Sequence, residues 1–476
     1  MHKNVINTFF LLSILLVFSS CKTFSTRLNI PAKAIPERYQ ANTGLENSGT
    51  IQWRLFMGDS LLIQLIDSAL VGNYDLKIAL ERIEIARSGA RLSKGMLMPQ
   101  AGINLNGGMR KFGLYTMDGA GNIVTEMLPG KMIPVDLPDI HAGFYASWEV
   151  DIWGKLRNQR RSAGSNLKSR VEAHRVVASN LVVEIARLYY ELVALDHELE
   201  IIKHTLLKQE EALDVVRLQK ETGRVNELAV QQFQSQLMHT RSLEFEKKQQ
   251  ITEHENLLNF LLGRYPQTIQ RNSRTLFPEN PLSLSAGVPS QLLANRPDIR
   301  EAEWQLQSSR FDLKAAKAAF FPNLSITAGL GYQAFNPRYL FNTPASIAYN
   351  ALGSLLAPLV NRSALKAHFH TARSRQITAM QQYQQSILNG FVEVENQLSN
   401  IHNLQEIQKQ KQAQKDILLQ AEETAAELYK SNKANYLEVL LAQQNSLQTQ
   451  LDLVNINKRQ RFSELALYKA LGGGWR

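Results

Sequence analysis

Ile140-His141-Ala142-Gly143-Phe144-Tyr145-Ala146-Ser147-Trp148-Glu149-Val150-Asp151-Ile152 carries an apolar side chain at every even position. The odd positions hold His141, Gly143, Tyr145, Ser147, Glu149 and Asp151. Successive side chains of a strand point to opposite faces, so this alternation predicts a strand with one apolar and one polar face. Residues 320–334 repeat it, with Phe320, Pro322, Leu324, Ile326, Ala328, Leu330, Tyr332 and Ala334 against Asn323, Ser325, Thr327 and Gln333. Ala101, Ile103, Leu105 and Met109 alternate with Asn104, Asn106 and Arg110 in a third segment, and 347–360 is a fourth with a blurred pattern. The expected strands are 98–113, 139–153, 319–335 and 347–360. Alternating strands of about 10 residues are the pattern of a membrane β-barrel. Phe144, Trp148, Val150, Leu324 and Ile326 then become candidates for the membrane-facing side, with Tyr145, Trp148 and Trp153 suited to a lipid interface. A soluble hairpin packed on helices satisfies the same periodicity.

The stretches between these strands read as helix. No proline lies between Pro138 and Pro266 or after Pro358, and both spans are rich in Gln, Glu, Leu, Ala and Lys. Ile185, Leu188, Leu192, Leu195, Leu199, Ile202 and Leu206 are spaced alternately by three and four, the seam of supercoiled helices. Ile387, Phe391, Val394, Leu398 and Ile401 repeat that spacing. A helix from 155 to 222 would be about 100 Å long and must lie along other long helices.

The chain repeats itself. At an offset of 209, Leu228, Val230, Gln234, Thr240, Glu255 and Leu262-Gly263 fall on Leu437, Val439, Gln443, Thr449, Glu464 and Leu471-Gly472. At an offset of 223, Asp75, Arg87, Lys94, Pro99 and Gly108 fall on Asp298, Arg310, Lys317, Pro322 and Gly331. The expected organisation is a signal peptide (1–20) and an N-terminal segment (21–60). A first repeat (61–265) has a hairpin over 155–262. After a linker (266–290), a second repeat (291–476) has a hairpin over 362–471.

The N-terminus reads as an export signal. His2 and Lys3 precede an apolar run from Phe9 to Phe18, followed by Ser19, Ser20 and Cys21. That run is too short to span a bilayer as a helix. Val17-Phe18-Ser19-Ser20-Cys21 resembles a bacterial lipobox, which implies a covalent lipid on Cys21. Lys22 in place of aspartate implies sorting to the outer membrane. Cys21 is the sole cysteine, so disulfides and cysteine-based zinc sites are excluded. Of 476 residues, 44% are hydrophobic and 20% charged, which excludes a disordered polymer. The net charge of +10 permits an acidic partner, but Lys and Arg are scattered and the chain is exported, which argues against nucleic acid. There is no HExxH and no nucleophile elbow, and neither an enzyme nor a bound metal or other cofactor is expected.

Four strands cannot close a membrane barrel, whose minimum is about eight. Unpaired backbone in lipid is costly, so transmembrane strands require several copies, and three would supply twelve. The order of signal, lipobox, strand pair, hairpin, strand pair, hairpin resembles the TolC-like outer-membrane factor family, in its lipoprotein branch. Four segments carry the resemblance. They are Val288-Pro289-Ser290-Gln291-Leu292-Leu293-Ala294-Asn295-Arg296-Pro297-Asp298-Ile299, Ala318-Ala319-Phe320-Phe321-Pro322-Asn323-Leu324, Leu467-Tyr468-Lys469-Ala470-Leu471-Gly472-Gly473-Gly474-Trp475 and Trp148-Glu149-Val150-Asp151-Ile152-Trp153-Gly154-Lys155-Leu156-Arg157.

The resemblance implies a mainly α fold with a membrane β-barrel: twelve strands from a homotrimer in the outer membrane of a Gram-negative bacterium, and long hairpins forming a periplasmic helical barrel. It also implies a passive duct exporting drugs or other small molecules, with a periplasmic adaptor and an inner-membrane resistance-nodulation-division pump as partners. A duct for type I protein secretion, or a lipid-anchored coiled-coil scaffold without a pore, are the alternatives.

The hairpins are expected to turn at Lys220-Glu221-Thr222-Gly223-Arg224 and at Lys430-Ser431-Asn432-Lys433-Ala434-Asn435. By resemblance these tips form the closing aperture and docking region, with Gly223, Asn432, Tyr436, Leu437 and Glu438 as candidate gate residues. A threefold ring of Glu438 would favour cations. The family pattern often has aspartate where Leu441 stands and glycine where Asn432 stands. Lys155, Arg157, Arg160 and Arg161 are expected to solvate a helix start or to meet lipid head groups. Asp118-Gly119-Ala120-Gly121-Asn122 is expected to be a turn between strands.

Overall fold

The computed structural model describes residues 34–40, 44, 46–276, 284–358, 360, 362–431 and 433–476. Four strands, β1 (Gln100–Lys111), β2 (Asp136–Val150), β3 (Asn323–Ala334) and β4 (Ile347–Leu356), form one antiparallel sheet in that order. The main helices are α1 (Ser60–Gly72), α2 (Tyr74–Gly95), α3 (Lys155–Glu221), α4 (Glu227–Leu261), α5 (Pro297–Ala318), α6 (Ser363–Lys430) and α7 (Tyr436–Ala470). Helices α3 and α6 have 67 and 68 residues, α4 and α7 have 35 each, and α2 and α5 have 22 each. That equality makes the duplication explicit.

The strand limits depart from the sequence expectation for local reasons. β1 starts at Gln100 instead of 98, because Met98 N–H still donates to Gly95 O at 2.9 Å in a helical turn. β3 starts at Asn323 instead of 319, because Phe320 and Phe321 still donate to Lys317 O and Ala318 O. β2 stops at Val150, because the Asp151 carboxylate turns to accept from Leu156 N (2.9 Å) and Arg157 N (2.8 Å), capping α3. β4 stops at Leu356, shortly before Pro358, which has no N–H for a ladder. The segment from Asp118 is not a simple turn. Met117–Val124 is a short helix whose cap, Thr116 Oγ1, accepts from Gly119 N at 3.1 Å.

Two compact units divide the chain. Among the described residues, one holds the sheet, with 86–167 and 305–380. Within it Gly143 lies opposite Gly331, and a Cβ on Gly143 would stand 2.7 Å from the Gly331 Cα. Only glycine at both positions lets the two central strands pair there. The other unit holds 32–85, 168–304 and 381–476. Its core follows the predicted seam: Ile185, Leu188, Leu192 and Ile202 have no exposed surface. Ile185, Leu188 and Leu192 pack with Leu62, Ile66, Tyr189 and Tyr468 in one cluster, and Ile202 packs with Val216, Phe233, Leu237 and Val439 in a second. Each fully buried side chain of this kind contributes about 1.5–3 kcal/mol.

Candidate functional site

The sheet has two chemically different faces. Register pairs Phe144 with Leu330, Trp148 with Ile326 and Val150 with Leu324, so these side chains share one face. Phe144 and Ile326 are exposed, while Trp148, Val150 and Leu324 are half-buried. The Trp148 indole N–H donates to Leu97 O at 3.1 Å, and Trp153 donates to Pro322 O at 2.9 Å while stacking on Phe321. Each indole thus has an apolar body and a satisfied polar tip, as suits an interface.

The opposite face is polar. A groove of about 680 Å³ runs over it, lined by Asn104, Asn106, His141, Tyr145, Gln333 and Asn350 among others. Asp139 takes a hydrogen bond from Gln333 Nε2 at 2.7 Å and pairs with Arg110 at 3.2 Å. Such a surface replaces the hydrogen bonds of water without a fixed charge of one sign, which suits a water-filled passage. Among the described residues, β1 and β4 have only one neighbour each, so both sheet edges are open. Apolar residues stand exposed along them, including Ile103, Leu105, Tyr349 and Leu355. No described helix is long and apolar enough to cross a membrane.

The basic residues after β2 are engaged within the chain. Lys155 pairs with Glu149 at 2.7 Å, Arg157 pairs with Asp151 at 3.0 Å, and the Arg161 guanidinium lies over Phe311. Arg160 is exposed.

The hairpin tips occupy the other unit. Gly223 has φ +72° and closes α3, donating to Lys220 O at 2.9 Å, while Arg224 N donates to Gln219 O at 2.9 Å. A left-handed residue at this position is why glycine suits the turn. An ion pair between Lys220 and Glu227 bridges the first tip. At the second tip Lys433 N donates to Leu428 O at 2.8 Å. Asn432 and Cys21 lie outside the described residues.

Tyr436 packs partly buried against the seam cluster that contains Val216 and Phe233. Leu437 and Glu438 are exposed, as is Leu441. Glu438 has a task at the helix start that sequence reading missed. Its Oε2 accepts from Asn435 N at 3.2 Å, and Asn435 Oδ1 accepts from Leu437 N at 3.3 Å, a capping box that starts α7. The signal was present as a cap residue with Glu three positions on. No group of three or more His, Cys, Asp or Glu side chains among the described residues is placed to hold a metal.

Comparison with known proteins places this geometry. A family model described as outer membrane efflux protein matches residues 65–264 and 288–473, one stretch in each repeat. The chain is 31% identical over 455 residues to the cation efflux system protein CusC of Escherichia coli strain K12, covering 93% of this chain and 94% of that protein. It is 28% identical over 476 residues to the probable outer membrane lipoprotein SilC of Salmonella typhimurium, covering 98% of each. A crystal structure of CusC superposes with a TM-score of 0.81 at 28% identity, over 94% of this chain and 99% of that one.

Proposed function

Because the chain belongs to the outer membrane efflux protein family, we propose that three copies assemble into the passive outer-membrane duct of a tripartite efflux complex. It is an outer-membrane efflux channel and not an enzyme. A periplasmic adaptor and an inner-membrane resistance-nodulation-division pump supply docking and energy, and the cargo is small molecules. The observation that supports the trimer best is the four-stranded sheet with two open edges. One face is apolar and the other carries a polar groove. A membrane sheet cannot leave its edges unpaired, and four strands are too few to close alone. Three copies joined edge to edge, β4 to β1, give twelve strands with the polar faces inward.

In this reading the tips at Gly223 and Asn432 form the periplasmic end. Exposed Leu437 and Glu438 narrow the aperture, and Tyr436 supports them from inside the hairpin. Cys21 carries the lipid, which adds an anchor to the barrel. The deciding experiment is the molar mass of the detergent-extracted mature protein, by light scattering with detergent subtracted. Three times the chain mass is expected. A stable, folded monomer would overturn the duct and favour a lipid-anchored scaffold.

A further inference from the structure

The duplicated hairpins make one contact within the chain and leave its counterpart open. Helices α3 and α6 end 209 residues apart, and α4 and α7 both begin and end 209 residues apart, so residues of one hairpin have counterparts in the other. Within the unit that holds 168–304 and 381–476, α7 packs on α3. Lys458 pairs with Glu191 at 2.8 Å, the Arg461 guanidinium lies over the Tyr190 ring at 5.9 Å, and the Arg187 guanidinium lies over Phe462 at 5.6 Å. Val454 and Leu465 flank these residues on α7 and are 4% and 2% exposed.

On α4 the same positions stand open. Phe245, Gln249, Thr252, Glu253 and Asn256 are the counterparts of Val454, Lys458, Arg461, Phe462 and Leu465, and all five are exposed, Phe245 at 67%. On α6 the counterparts of Arg187 and Tyr190 are Asn396 and Ser399, and both are exposed. Val392 and Leu388 continue that stripe at 44% and 50% exposure, one and two turns away. Their own counterparts on α3 are covered: Val183 packs against the core cluster and Ser179 is 4% exposed. The open faces also match chemically. Where α7 and α3 place an ion pair and two guanidinium–ring contacts, α4 and α6 carry Gln249 for Asn400, Thr252 for Ser399 and Glu253 for Asn396. These amides and hydroxyls can donate and accept across a contact, and no two like charges meet.

We infer that the exposed face of α4 seats on the exposed face of α6 of a second copy of this chain, reproducing between copies the contact that α7 makes on α3 within one. The inference rests on the trimeric reading above and adds to the sheet edges a second, separate surface. Burial of Phe245, Leu388 and Val392 supplies a driving force in proportion to the apolar area removed from water. The occupant is selected by the pattern itself. A cover for α4 must present what α3 presents to α7, and α6 is the helix that carries the counterpart positions. The two faces differ, so the contact runs head to tail, and such contacts generate a ring when the rotation closes. In a closed ring every α4 face and every α6 face is used once.

The test uses the full chain in outer membranes and a short thiol cross-linker, bismaleimidoethane. All variants carry Cys21→Ala, so that the introduced thiols are the only ones. Thr252→Cys and Ser399→Cys are both exposed positions and leave the core untouched. Together in one chain they are expected to give covalent dimer and covalent trimer on denaturing gels. Either alone is expected to give neither, because Thr252 meets Ser399 of the partner subunit and not its own copy. Co-expression of the two single variants should give covalent dimer without trimer, which shows that the link runs between chains. Loss of cross-linking in the double variant, with light scattering still reporting three chain masses, would overturn the inference and leave the trimeric reading standing. A monomer mass would overturn both. Single variants that link to themselves would overturn the inference as well, since like faces would then meet.

Discussion

Arg296 and Ala470, 174 residues apart, meet in a hydrogen bond of 2.8 Å from the guanidinium Nη1 to the carbonyl oxygen. The same guanidinium forks onto Asp298 at 3.0 and 2.7 Å and reaches Glu393 at 2.7 Å. It ties the start of α5 to the end of α7 and to α6, all within one unit. Arg296 is 5% exposed, whereas the Asp298 and Glu393 side chains are 39% and 54% exposed. Removing Arg296 therefore leaves two acids that water can solvate and one carbonyl that it cannot. Arg296→Ala is expected to cost about 2–3 kcal/mol, in the range of hydrogen bonds to charged groups. Arg296→Lys should recover only part, since an ammonium cannot fork onto a carboxylate. Thermal melting of the extracted protein checks this, and an Arg296→Ala midpoint equal to the parent's would refute it.

Glu438 serves both the proposed gate and the helix start, so the choice of substitution matters. Glu438→Gln keeps a side-chain oxygen for Asn435 N–H and removes the charge, whereas Glu438→Ala removes both. A carboxylate and a cation 4 Å apart in water interact by about 1 kcal/mol. Loss of a ring of such charges should weaken divalent-cation block of conductance about fivefold or more. Bilayer recordings with the Gln variant measure it. Equal block in parent and variant would take Glu438 out of the gate while leaving its cap intact.

The parts of this fold that were legible in sequence are those where one face is apolar along its length. The even residues of 140–150 share a face by strand register, and Ile185, Leu188, Leu192, Ile202 and Leu206 fall in the buried seam because a long helix must bury one stripe. The 347–360 pattern was blurred because β4 is an edge strand: Leu352 is exposed beside Asn350 and Ser354 on the polar side. The helix at Met117–Val124 was missed because Gly119 and Gly121 are poor helix formers, and Thr116 offsets that with its cap. The tips were legible from their turn residues. What Leu437 would face across the proposed aperture was not, because that depends on copies of the chain that no single sequence pattern encodes.

Cys21 is proposed as the lipid attachment point, and the barrel as the main hold on the membrane. Acyl chains hold only through their own buried CH₂ groups, about 0.8 kcal/mol each, whereas the strands of a closed barrel pair all their backbone groups within the bilayer. Cys21→Ala should therefore abolish incorporation of labelled fatty acid, yet the protein should stay in the membrane fraction after alkaline washing. Continued incorporation would refute the attachment site. Release of the variant by the wash would show that the lipid, and not the strands, holds the protein.

Glu301 gives a stability signature with a definite sign. Burial pushes its carboxyl above the ordinary 4.5; Arg170 opposes that rise, and the neighbouring Asp298 and Glu172 add to it. A carboxyl raised in the folded state gives up its proton more readily in the unfolded chain. Its contribution to stability is thus full below about pH 4.5 and is lost as pH climbs through the folded value. Glu301→Gln is neutral at every pH and removes that loss. The variant should melt higher than the parent at neutral pH, and the gap should close on acidification to about pH 4. Melting curves of both proteins across that range decide it. A gap that does not change with pH would mean that Glu301 is solvated in the folded protein and that its surroundings do not hold the proton.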